Sequence, residues 1–456
     1  MKHSLLFSLL CLLLSALPAQ DFSERFKVLA NDRGTADRFG SSVALKGNRL
    51  LVGAPTERHN LVGANALQEA GSAYFFEKNA QGQWIQVQKI IASDRSAGAN
   101  LGHQVVLGEQ VALIAAHKDS TGLSGDSTYQ EAGAVYVFRQ DSSGVWQETQ
   151  KLVASDRAPF DWFGHRVVMQ GNRALISAWG RDNAGPGGQV DNRTGAVYAF
   201  EADSMGFWQQ TQILALTDTG TSEEVGFSLA MDGDLALIGA PGETEDENGQ
   251  NTEIRAGAAY VWEYLPNGQW QLVQKLVAPI RQFDIEGFGT NVAMKDSMLV
   301  IYQSFNIDFS EVLFSFLPDS SGTWKLKETI TFGGQIIPGR AICMQDSFLL
   351  IGNPINQSRR GRGYLLRMTP TGSWEAVSDF VASDRRQNHE FAYSVAMDDS
   401  VLVFGARLEA PANPVYGAMG AVYVFETCTP DFPEQQASIC TGDSLWFEGA
   451  YVSEAG

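Results

Sequence analysis

Three residue series recur along this 456-residue chain in one common phase, and no other feature restricts its fold so tightly. Trp84, Trp146, Trp208 and Trp270 stand 62 residues apart, and Trp324 and Trp374 continue the series at spacings of 54 and 50. Gly40, Gly102, Gly164 and Gly226 keep the same 62-residue step, with Gly289, Gly339 and Ala392 in that place in later copies. A pattern close to Gly-Ala-x-Tyr-x-Phe runs from Gly71 to Phe76, Gly133 to Phe138, Gly195 to Phe200, Gly257 to Trp262 and Gly420 to Phe425. Self-similarity at a fixed period marks a repeat architecture, in which each unit buries its apolar faces against its neighbours.

Each unit holds four short apolar segments; in the second they are 105–107, 111–115, 134–138 and 146–153. Their lengths and intervening turn residues predict strands. Asn-Ala-Gln-Gly at 79–82, Asp-Ser-Ser-Gly at 141–144 and Pro-Asn-Gly at 266–268 read as hairpin turns between the third and fourth strands. Four antiparallel strands per unit, without helical periodicity, predict an all-β seven-bladed β-propeller. The seventh unit lacks a fourth strand of its own. Phe22 precedes Lys27 by the same five residues that separate Trp84 from Lys89, so the segment from Phe22 to Ala30 is expected to complete the last blade and close the ring. Closure removes the exposed sheet edges that otherwise template aggregation.

Composition narrows the partners. Acidic residues outnumber basic ones 52 to 33, for a formal charge of −19. That excess argues against nucleic acid, which needs clustered cations, and against an anionic membrane surface. A basic start at Lys2 and His3, an apolar run from Leu5 to Leu17 and Pro18-Ala19-Gln20 read as a signal peptide over 1–19, hence an exported protein without membrane insertion. Export permits disulfides; Cys428 and Cys440 are close enough in sequence to pair, and Cys343 sits in an apolar strand pattern that favours burial. The propeller is expected over 20–427. Residues 428–456 read as a linker and the start of a small β module, with the chain expected to continue in a longer protein.

Phe39-Gly40-Ser-Ser-Val, Val52-Gly53-Ala54-Pro55 and Gly71-Ser-Ala-Tyr74-Phe-Phe76 resemble the FG-GAP repeat, and the likeness extends over roughly residues 22–427. That repeat builds the seven-bladed propeller of integrin α subunits and of many secreted bacterial proteins, so the resemblance implies this fold and a surface role. Copies five and six depart, with Ile301-Tyr302-Gln303 and Gly352-Asn353-Pro354 where Gly-Ala-Pro is expected. The family often holds calcium in an Asp-x-Asp-x-Asp-Gly loop between the first and second strands. Here those turns are too short, as at Asp398-Asp399-Ser400. Glu243 to Gly249 comes nearest to such a loop, but Thr244 and Arg255 occupy the first and twelfth positions, so it reads as a solvated acidic loop. No metal and no cofactor are expected.

Strand direction places the long loops, such as 93–103 and 116–132, on one face, the expected binding face. His117 and Trp179 replace the proline of Gly-Ala-Pro in blades two and three, with Asp119 and Asp182 close behind. An imidazole and an indole exposed there suit stacking on a sugar; ordinary packing is the competing reading. Arg359 and Arg360, with Arg362, form a basic cluster in blade six suited to a sulfate or carboxylate, against a plain solvated turn. His103 and His165 occupy equivalent positions, and the Asp-Arg pairs at 32–33, 94–95, 156–157 and 384–385 repeat, so both read as scaffold. No catalytic motif is present. The leading reading is a non-enzymatic binding or adhesion module for an extracellular glycan or protein, monomeric within its longer chain. The alternatives are a polysaccharide hydrolase or lyase at the channel, marked by paired carboxylates, and an architectural spacer.

Overall fold

The computed structural model describes residues 22–427, except 124–127, 185–189, 192, 217–221, 251–254, 280–286, 305–310, 333–334, 337–340, 399 and 412–416, together with 444–447 and 450–453. The signal-peptide residues and both Cys428 and Cys440 lie outside them. Two units are distinguished, 24–425 and the two chain ends, 1–23 with 426–456. Among the chain-end residues, Ser444–Phe447 pairs with Ala450–Ser453 as an antiparallel hairpin.

The larger unit is a ring of seven antiparallel blades. Blade one consists of Ser42–Lys46, Arg49–Ala54, Ser72–Lys78 and Trp84–Ile90, hydrogen-bonded in chain order. Blades two to six repeat this order, and blade five adds a two-residue fifth strand, Gln335–Ile336. Blade seven takes Phe391–Asp398, Val401–Ala406 and Ala421–Thr427 from the end of the repeat region and Phe22–Val28 from its start. The N-terminal strand therefore supplies the missing fourth strand. Lys27 seals the seam by donating to Glu409 at 2.9 Å and to Asp384, while Glu24 accepts from the Ser383 amide and hydroxyl.

Burial explains the sequence pattern within each blade. The second and third strands are covered on both faces by neighbouring blades, so they read as continuous apolar runs such as Leu50–Ala54. Fourth strands alternate, because one face meets the adjacent blade and the other meets water. Between blades one and two, Leu51, Phe75, Ile90, Leu101, Ile114, Tyr136 and Trp146 form one buried cluster, with Trp146 stacked on Phe75 at 4.2 Å. The tryptophan period also has a polar cause. Gln88 donates to the Trp146 carbonyl at 2.8 Å and accepts from its amide at 2.9 Å; Gln150, Gln212 and Gln274 do the same for Trp208, Trp270 and Trp324.

Neighbouring blades also touch backbone to backbone. Gly71 bridges to Leu101 of the next blade, and Gly133, Gly195, Gly257, Gly361 and Gly420 make equivalent bridges around the ring. At φ +83, a side chain on Gly71 would press onto the Leu101 backbone. Gly47 also has a positive φ, +56, but nothing lies within 4 Å of its would-be Cβ. Gly47→Ala should therefore cost about 1 kcal/mol, the backbone preference alone. Gly71→Ala should cost more than ~3 kcal/mol, because an overdetermined contact is broken. Chemical denaturation of the two variants reads the difference directly, and equal costs would contradict the packing account.

Candidate functional site

The first strands of all seven blades line a cavity of about 730 Å³ on the ring axis, from Ser42 and Val43 through Gln104, Val167, Leu229, Val292 and Ile342 to Val395. Its mouth lies at the start of the first strands and the end of the second, where Pro55, His117 and Arg407 stand, so it opens on the long-loop face. Among the described residues, the one following the Phe-Gly-type step faces this space in six blades: Ser41, His103, His165, Phe227, Thr290 and Tyr393. Six positions equivalent in the repeat carry five residue types.

The next position shows how scaffold and site diverge. Ser42, Ser228 and Ser394 donate their hydroxyls to the carbonyls of Gly102, Gly289 and Gly40 in the following blade, at 2.8, 2.7 and 2.9 Å. Blades two and three instead carry Gln104 and Arg166 at that position, both lining the cavity. The Arg166 backbone is fixed, its amide donating to the Ser177 hydroxyl at 3.0 Å and its carbonyl accepting from the Ser177 amide at 2.9 Å.

Three imidazoles gather beside Arg166. The His103 ring lies 3.7 Å from His117 and 5.4 Å from His165, and His165 packs 5.4 Å from Phe227. Burial holds all three neutral, reinforced by the charges of Arg166 and, at His103 and His117, of Lys118; the His117 value falls to about 3. His103 Nε2, His117 Nδ1 and His165 Nδ1 are buried without a hydrogen-bond partner. Among the described residues, no group of three or more His, Cys, Asp or Glu is arranged to hold a metal ion.

Among the described residues the charged lining is four cations, Arg38, Lys118, Arg166 and Arg407, against one carboxylate, Glu69. Lys118 pairs with Glu131 at 3.4 Å, and Arg407 pairs with Glu390 at 2.8 Å while lying 3.6 Å over the Tyr393 ring. Neither Arg38 nor Arg166 has a carboxylate partner among the described residues. The channel is thus locally positive inside an acidic chain.

The residues singled out from sequence are distributed unevenly. His117 lines the channel but is half-buried against His103, not freely exposed. Trp179 is half-buried among Trp162 at 4.8 Å, Phe227 at 5.5 Å and His165 at 5.6 Å. Asp119 is 1% exposed and is occupied by Tyr136, Thr121 and Lys151, a scaffold knot that also includes Asp94. Asp182 is exposed and accepts from the Arg193 amide at 2.6 Å. Arg359 and Arg360 stand apart in the blade-six loop, on the short turn at Asn356–Arg359; Arg359 joins the channel rim only through Glu390, which bridges it to Arg407.

The repeating aspartates do bond to the neighbouring blade, Asp94 to Tyr136, Asp156 to Tyr198 and Asp384 to Tyr423. Glu243 accepts from the Thr244 and Glu245 amides and Asp246 from those of Asn248 and Gln250, so the acidic loop is folded on its own backbone. In the sequence His103 and His165 read as scaffold because they occupy equivalent places, and Arg166 carries no motif of its own. The signal was present in the next position, where Arg166 replaces a repeated serine.

The imidazole state is directly measurable. The unfolded chain takes up protons at these histidines below about pH 6.5, whereas the folded one does not, so the cluster costs stability as pH falls from there towards the folded values. Nitrogen-15 NMR should show the rings of His103, His117 and His165 neutral and untitrated between pH 5 and 8. A midpoint near 6.5 for any of them would contradict the burial described.

The chain matches the FG-GAP repeat over residues 22–76, 84–138, 146–200, 208–262 and 374–425, more than half of its length. The unmatched stretch covers the two copies whose glycine motif departs, blades five and six. No curated protein matches in sequence. Among solved structures, a protein from Lactobacillus plantarum is 14% identical with a TM-score of 0.49, covering 78% of this chain and 87% of its own. A periplasmic gluconolactonase from Pseudomonas aeruginosa is also 14% identical, with a TM-score of 0.46, covering 76% and 87%. These likenesses are too distant to bear on activity. Among the described residues no helix is long and apolar enough to cross a membrane. The motif, its repetition and the closed ring agree: this chain belongs to the FG-GAP repeat family and folds as a seven-bladed β-propeller.

Proposed function

We propose that the protein is an exported binding module that recognises a glycan at the mouth of its axial channel, on the long-loop face of blades two to four. The observation that supports this reading most is the non-repeating cluster of rings at the mouth. His103, His117, His165 and Phe227 line the open space, and Trp179 packs behind them on His165 and Phe227, each ring 3.7–6.3 Å from a neighbour in the cluster. Packing requirements recur in every blade, whereas a ligand needs one site, so departures from the repeat are where recognition belongs. Rings with a polar edge suit sugars, which present apolar faces and many hydroxyls.

A carbohydrate-cleaving enzyme of the usual type would need two carboxylates about 5–9 Å apart. Among the described lining residues Glu69 is the one carboxylate, which favours binding over such cleavage. Purified protein should capture a restricted set of glycans on an array and release them unaltered in mass. Trp179→Ala and His117→Ala should weaken capture at least ~10-fold, the loss of about 1.4 kcal/mol of contact. Capture of no glycan by folded protein, or capture indifferent to both substitutions, would contradict the reading, and cleaved products would favour an enzyme.

A further inference from the structure

Arg166 lines the channel without a carboxylate partner among the described residues. It occupies a position where three other blades place a serine that bonds to the next blade, so the ring gives up a scaffold hydrogen bond there. In exchange, a guanidinium stands in the channel whose recorded side-chain hydrogen bond is a long one, 3.4 Å to the His165 carbonyl. Burial pushes it below the ordinary arginine value, with Tyr393 across the channel opposing that shift, yet arginine stays charged in proteins. An uncompensated charge in a partly dry site is costly until an anion joins it.

Its surroundings describe the anion. A guanidinium fork matches a carboxylate in two parallel hydrogen bonds. Neutral imidazoles each offer a donor and an acceptor, the combination a sugar hydroxyl requires, and His103 and His165 both line the cavity. Gln104, equivalent to Arg166 in the preceding blade, adds an amide with both functions. A cavity of about 730 Å³ has room for one or two sugar rings.

We propose that the axial channel binds a sugar acid, its carboxylate held by Arg166 and its hydroxyls read by Gln104, His103 and His165. This rests on the binding reading above and specifies its ligand class. Arg38 at the mouth, likewise without a carboxylate partner among the described residues, supplies a second positive charge along the entry route.

Calorimetry on the full chain tests it with D-galacturonate, D-glucuronate, D-galactose, acetate and inorganic phosphate. The uronates should bind at least ~10-fold more tightly than galactose, acetate or phosphate. Arg166→Gln should remove that preference at an equal or higher Tm, since it also removes an uncompensated charge, and Arg166→Lys should keep part of it. Should Arg166→Gln fail to fold, the wild-type protein still decides: uronate, and not galactose, should shift the His103 and His165 ring signals. Equal binding of galactose and galacturonate, tighter binding of phosphate, or uronate binding unaffected by Arg166→Gln would each overturn the proposal. Capture of neutral glycans on the array without a response to uronates would sink this inference and leave the binding reading standing. Silence in both experiments would sink both.

Discussion

The ring depends on how closely neighbouring blades approach near the axis. Gly53 in the second strand of blade one lies against the Gly102 carbonyl of blade two, where a Cβ on Gly53 would overlap that oxygen. Gly239 meets Gly289 and Gly405 meets Gly40 in the same way, the last pair closing the circle. Such contact brings the first strands to a fixed distance from the axis, and it leaves the residue after the Phe-Gly glycine, as at Ser41, His103 and Thr290, facing the channel mouth. The glycine series is therefore the hinge between architecture and site. Without it there would be neither a closed ring nor a lined channel.

Much of this geometry was legible because it repeats. A seven-bladed, four-stranded ring closed by the N-terminal strand followed from the spacing of tryptophans and glycines, and from Phe22 standing before Lys27 as Trp84 stands before Lys89. Less visible was the glutamine four residues after each tryptophan, whose period is the same but whose role depends on the next blade's backbone. The short fifth strand of blade five was not foreseen; it occurs where the motif itself departs.

The site was harder to read, because a departure has meaning only after the scaffold role is known. Asp119 looked available beside His117, yet it belongs to the repeated knot of tyrosine, carboxylate and lysine, seen also with Glu243, Tyr260 and Lys275. That knot is exchanged for another in blade three. Ile213 stands where lysine is expected and Arg181 where a carboxylate is expected, and Arg181 pairs with Asp156 at 2.8 Å. The exchange moves the cation from the fourth strand to the loop, and Asp156 still finds a cationic partner within the chain, so it is a structural variation. Arg166 has no such compensation among the described residues, and this separates it from the exchange in blade three.

The central claim is that repetition builds the ring and its exceptions build a recognition site on the axis. A crystal structure of the protein soaked with D-galacturonate tests this most directly. The account predicts ligand density in the axial channel, with the carboxylate within hydrogen-bond distance of Arg166 and the hydroxyls facing His103 and His165. Ligand density elsewhere on the propeller, with an unaltered channel, would contradict it.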